Sequence, residues 1–127
     1  MSREELERKL EQLDTEDFIW LIYIGIIFMS WIGNHYERDY FVNSNHESKE
    51  IYRKITILIF SILIIVYFYF LQDSFKDVKA LKPTDTPKVR NLTTLSFLGS
   101  LLIAISGIIF LYIAIADEQL SVEIAFN

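Results

Sequence analysis

The chain has 127 residues with 12 Lys plus Arg against 17 Asp plus Glu, a net charge of −5 that excludes the broad basic face a nucleic-acid binder needs. It has no cysteine, which excludes a disulfide framework, a thiol nucleophile and a thiolate metal site. Its length permits one domain at most, and 52% hydrophobic residues beside 23% charged ones mean that apolar and charged stretches must be segregated.

The first seventeen residues, MSREELERKLEQLDTED, predict a short amphipathic helix. Ser2 and Glu5 have the spacing of a capping box, and Leu6, Leu10 and Leu13 form a stripe at i, i+4 and i+7. Glu4 with Arg8 and Glu5 with Lys9 stand in the favourable i, i+4 order. This leader is expected to fold back onto the protein's own cytoplasmic end, with a docking stripe as the alternative. Its acidic polar face disfavours lying on anionic lipid. It lacks the basic region of a signal peptide.

Three uncharged runs follow: FIWLIYIGIIFMSWIG from Phe18, ITILIFSILIIVYFYFL from Ile55 and LSFLGSLLIAISGIIFLYIAIA from Leu95. As helices they would span about 24, 26 and 33 Å, against a hydrocarbon core of about 30 Å. A buried helix of a water-soluble protein would keep a polar face, and these have none. A strand would not run so long. They predict an all-α integral membrane protein with spans at 18–36, 52–71 and 92–116, expected in the cell membrane.

Between the first two spans lies SWIGNHYERDYFVNSNHE, which holds both histidines. Gly33 and Asn34 are expected to end the first helix, and Ser44 with Glu47 suggests a second capping box. His35, Glu37, Asp39, His46 and Glu47 are ligand types for zinc, yet their spacing fits no metal or catalytic motif. The segment reads as a solvated membrane exit, and neither metal nor cofactor is expected.

No proline or glycine interrupts the chain from Glu47 to Lys82, so the second helix should run from about 47 to 81 and project beyond the membrane. Residues 72–91 then form its cytoplasmic extension and a loop, with Pro83 as the stop, Thr86 as N-cap and Pro87 at N1 of the third helix. The sequon Asn91-Leu92-Thr93 falls on the side where glycosylation does not occur. Residues 117–127 are an acidic tail. Counting Lys and Arg, the leader and second loop carry 3 + 5 = 8 against 4 + 0 = 4 for the first loop and tail, which predicts a cytoplasmic N-terminus and an outside C-terminus.

On a helical wheel the third span divides by size. Ser96, Gly99, Ser100, Ala104, Gly107 and Ala114 share one side, while Phe97, Leu98, Leu101, Leu102, Ile105, Ile108, Ile109, Tyr112 and Ile113 share the other. Small residues let helix backbones approach closely in lipid. With Gly25, Met29 and Gly33 of the first span, Ser96, Gly99, Ser100, Ala104 and Gly107 form the candidate packing face. The bulky side should face lipid, and the second span, lacking glycine, should be the most peripheral.

No membrane-embedded charge, nucleotide-binding motif or nucleophile motif is present. The chain is therefore expected to be non-enzymatic, an accessory or structural subunit that binds a membrane partner or itself. The alternative is a homo-oligomeric pore or membrane-disrupting effector. Three spans in a small chain are similar, in architecture alone, to holins and bacteriocin-immunity proteins, and no residue of either carries over.

Overall fold

The computed structural model describes residues 1–124. Three helices follow one another, α1 at Arg3–Asn43, α2 at His46–Lys79 and α3 at Pro87–Ala116, and no strand occurs among the described residues. Each is long and apolar enough to cross a membrane. The chain divides into two compact units, Met1–Tyr52 and a second that begins at Arg53.

In the first unit the predicted N-terminal signal is realised. The Glu5 amide donates to Ser2 Oγ at 3.1 Å and the Ser2 amide donates to the Glu5 carboxylate at 3.3 Å, which closes the capping box. Because Glu5 is used there, the leader's surface ion pair is a different one, Arg3 with Glu7 at 3.3 Å.

The expected boundary after the leader is absent. Residues 3–43 form one helix of about 62 Å, so the leader continues α1 rather than folding back. Its leucines stay 41–51% exposed. Gly33 and Asn34 do not end α1 either; Gly33 is buried in mid-helix. Glycine lowers helix propensity by only about 1 kcal/mol, which neighbouring helical turns and packing outweigh.

The helix ends ten residues later, at Asn43-Ser44-Asn45, where Ser44 adopts the left-handed conformation with φ 52°. The second capping box does not form. Asn45 serves as N-cap instead, its side-chain oxygen accepting from the amides of Glu47 at 3.1 Å and Ser48 at 3.4 Å.

Along α1 the residues withdrawn from the surface include Ile19, Tyr23, Ile26, Ser30, Gly33, Glu37 and Tyr40, alternating four and three apart. That is the spacing of a heptad seam.

The second unit is an antiparallel pair, α2 against α3. Phe60 meets Phe110 with ring centroids 5.7 Å apart, Gly107 lies against Tyr67 and Ile64, and Phe75 meets Phe97 at 5.6 Å. The seam on α3 is again heptad-spaced, through Thr93, Phe97, Ser100, Ala104, Gly107, Leu111 and Ala114.

The expectation of a peripheral second span is overturned: α2 is the most buried helix. Phe60 and Leu63 are its most enclosed side chains, each 1% exposed, and Tyr52, Thr56, Ile59, Val66 and Ser74 are buried too. Its residues fall on two seams, one through Tyr52, Thr56, Ile59, Leu63 and Val66 and one through Phe60, Ile64, Tyr67, Leu71 and Ser74. The glycine-free composition of α2 therefore does not place it at the periphery, since its bulky Phe60, Leu63 and Val66 are among the most enclosed side chains.

The connection from α2 to α3 follows the sequence reading closely. Thr86 is the N-cap, accepting from the Val89 amide at 3.2 Å, with Pro87 at N1. The turn is closed by Asp85, whose carboxylate accepts from the Lys82 amide at 2.7 Å, and by Arg90, whose guanidinium donates to the Lys82 carbonyl at 2.6 Å.

Candidate functional site

The candidate packing residues separate into those that touch a neighbour and those that do not. On α3, Ala104, Gly107 and Ala114 are buried and Ser100 is half-buried, whereas Ser96 and Gly99 are exposed. A methyl group added at Gly107 would sit 2.9 Å from Tyr67 Cδ2 and 3.2 Å from Cε2; at Gly99 it would meet nothing within 4 Å. The Tyr67 ring thus occupies the space that a side chain at position 107 would need.

On α1, Gly33 is buried and Met29 half-buried, but Gly25 is exposed with open space around it. A side chain at Gly25 or Gly99 would therefore meet no neighbour within 4 Å among the described residues. Phe97 and Leu101, expected to face lipid, instead line the α2–α3 contact with Phe68, Leu71, Gln72 and Phe75. The wheel placed their centre at the edge of the small side, and the heptad seam runs through that edge.

The polar segment after the first span resolves around Asp39, a residue the sequence reading weighed only as a ligand type. Asn43 donates to one carboxylate oxygen at 2.7 Å, while Asn45 at 2.8 Å and Ser48 at 2.5 Å donate to the other. These hydrogen bonds, that from the Ser48 hydroxyl foremost, hold the Asp39 carboxyl below its ordinary range, with a smaller contribution from nearby His35.

Tyr40 completes the turn: the His46 ring lies tilted against it with centroids 5.8 Å apart, and the Lys49 ammonium sits 5.5 Å from the ring centre. The signal for this turn was Asn-Ser-Asn at 43–45, a run of residues that tolerate left-handed backbone and cap helices. It was overshadowed by the glycine ten residues earlier. Among the described residues no group of three or more His, Cys, Asp or Glu side chains is placed to hold a metal ion.

At the far end of the α2–α3 pair, Arg53 donates to the Ile115 carbonyl at 3.0 Å. It places a positive charge on the last turn of α3, where carbonyls lack helical partners and the helix dipole is negative. Beyond it Asp117 accepts from the amides of Ser121 at 2.9 Å and Val122 at 2.8 Å, which lowers its carboxyl pKa and closes the start of the tail. Residues 125–127 of the predicted acidic tail lie outside the described residues.

No family model, no curated protein and no solved structure matches this chain. The functional reading therefore rests on the arrangement itself.

Proposed function

We propose that the chain is a three-span integral membrane protein, N-terminus cytoplasmic and C-terminus outside, that works without catalysis as an accessory or structural subunit binding a membrane partner. One observation carries this reading. Phe18, Leu21, Ile27 and Trp31 on α1, Leu58 and Ile65 on α2, and Leu102, Ile109 and Tyr112 on α3 are all more than half exposed. An apolar surface of that extent is covered by lipid or by protein, not by water. Within it, Gly25 and Gly99 leave open backbone where another helix can approach closely, the contact that lipid-embedded helices favour.

Purification of the full chain in a gentle detergent followed by mass measurement tests the subunit reading. A stoichiometric second membrane protein supports it, and a bare monomer overturns it. A ring of identical copies that leaks ions from vesicles would establish the pore alternative instead. Single cysteines at Ser2, Ser44, Thr84 and Ser121 test the topology. Ser2 and Thr84 should label from one side and Ser44 and Ser121 from the other; labelling of Ser44 and Thr84 from one side would sink it.

A further inference from the structure

We infer that the end of the α2–α3 pair next to its connecting turn is a binding site for an anionic phospholipid, with one acyl chain in an apolar groove and the phosphate against Lys76 and Lys79. The inference rests on the membrane reading above and adds a ligand to it.

The groove measures about 280 Å³ and is lined by Phe68, Leu71, Gln72 and Phe75 of α2 and Phe97 and Leu101 of α3. Five of its six lining residues are apolar, which suits a hydrocarbon chain. It lies where the uncharged run of α2 ends, so its mouth is at the edge of the hydrocarbon. Lys76 and Lys79 follow Gln72 by four and seven residues, about 6 and 10 Å along the helix axis. The headgroup layer occupies roughly the 5–8 Å outside the hydrocarbon on each side. Lys79 turns back to it, its ammonium 4.7 Å from the centre of the Phe75 ring that walls the groove.

Two charged groups of the connecting turn are already engaged. Arg90 is committed to the Lys82 carbonyl, and the Asp85 carboxylate to the Lys82 amide. Asp73 and Asp77 fall on the other side of α2 from Phe68 and Phe75 on a wheel of 100° per residue. A basic cluster above an apolar cleft between membrane helices is an arrangement that anionic headgroups recognise. Lysines in the last turn also complement the helix dipole of α2. That role would leave lipid choice unaffected, which makes the two separable.

The full chain would be reconstituted into nanodiscs of phosphatidylcholine and phosphatidylglycerol in equal amounts, and the lipids it retains counted by native mass spectrometry. Retained lipid should be enriched in phosphatidylglycerol, and each lysine removed in Lys76→Ala and Lys79→Ala should reduce the enrichment about fivefold, from roughly 1 kcal/mol per basic residue at the surface. Leu101→Trp, which fills the groove and leaves the lysines in place, should abolish retention of either lipid. Lys54→Ala should change nothing.

Equal retention of both lipids by the unmodified chain would overturn the inference. So would enrichment that survives in the double lysine variant, or that survives groove filling, since the charge would then act without the groove. Flotation with vesicles of phosphatidylcholine alone separates the two levels of argument. Failure to insert sinks both the membrane reading and this site, whereas insertion without lipid preference sinks this site only.

Discussion

The two ends of the α2–α3 pair solve the same problem with different side chains. From Gly107 toward Arg53 and Ile115, small α3 residues are covered: Gly107 lies against Tyr67 and Ile64, Ala114 is buried, and Phe60 meets Phe110 at 5.7 Å. Toward the connecting turn, Phe75 and Phe97 meet at 5.6 Å and, with Phe68, Leu71, Gln72 and Leu101, line the groove. Small residues occur along the whole of α3, yet Ala104 and Gly107 are buried, Gly107 against Tyr67 and Ile64, while Ser96 and Gly99 are exposed. A glycine marks close approach only where something stands across from it.

The sharpest way to break this comparison is Gly107→Leu beside Gly99→Leu. The first drives a side chain into Tyr67 and should lower stability by roughly 1–3 kcal/mol through overpacking. Denaturant titration of the purified protein in detergent would measure it, and equal losses at both positions would refute the distinction. Tyr67→Ala combined with Gly107→Leu should recover part of the loss, because it removes the obstructing ring.

Next in size are the groups that fasten each end. Thr86→Ala removes the N-cap of α3 at the connecting turn and should cost about 1 kcal/mol. Arg53→Gln removes the charge on the last turn of α3 at the other end and should cost about 0.3–1 kcal/mol, falling with added salt. Protease digestion distinguishes them: the first should expose the connection between α2 and α3, the second the tail after Ala116. Cleavage at the same place in both would mean that the pair opens as a whole.

The turn at Asp39 extends the comparison to a joint made by a titratable group. Its carboxyl pKa is lowered in the folded chain, so the stabilisation is complete above the ordinary carboxylate value of 3.8 and is lost as pH falls through the folded value. Acid titration should therefore loosen Asn43–Ser48 below about pH 4, read as faster amide exchange there. Asp39→Asn should be looser at neutral pH and flat across that range. An unchanged acid response in Asp39→Asn would show that Asp39 is not the titrating group.

The smallest effect belongs to Gly99→Leu and Gly25→Leu in the isolated chain, where the change should stay within about 0.5 kcal/mol. If a partner docks at those glycines, the same substitutions should abolish its co-purification while leaving the chain folded. Silence in both measurements would remove them from the proposed interface.

Composition and local pattern were enough for the three helices, because an uncharged run of membrane length has few other ways to satisfy its backbone. The capping box at Ser2 and the Thr86-Pro87 start were equally legible, since each cap is made by neighbours in the chain. The end of α1 was not. Gly33 is compatible with either ending or continuing a helix, and its place in a buried heptad seam decides for continuation. Asp39 gains its role only when Ser48 is brought back beside it by the turn. Which small residues pack, and that α2 is the most buried helix, depend on what lies opposite each side chain. A sequence gives the size of a side chain, but the contact also requires the shape of its neighbour, and that is set only when the helices come together.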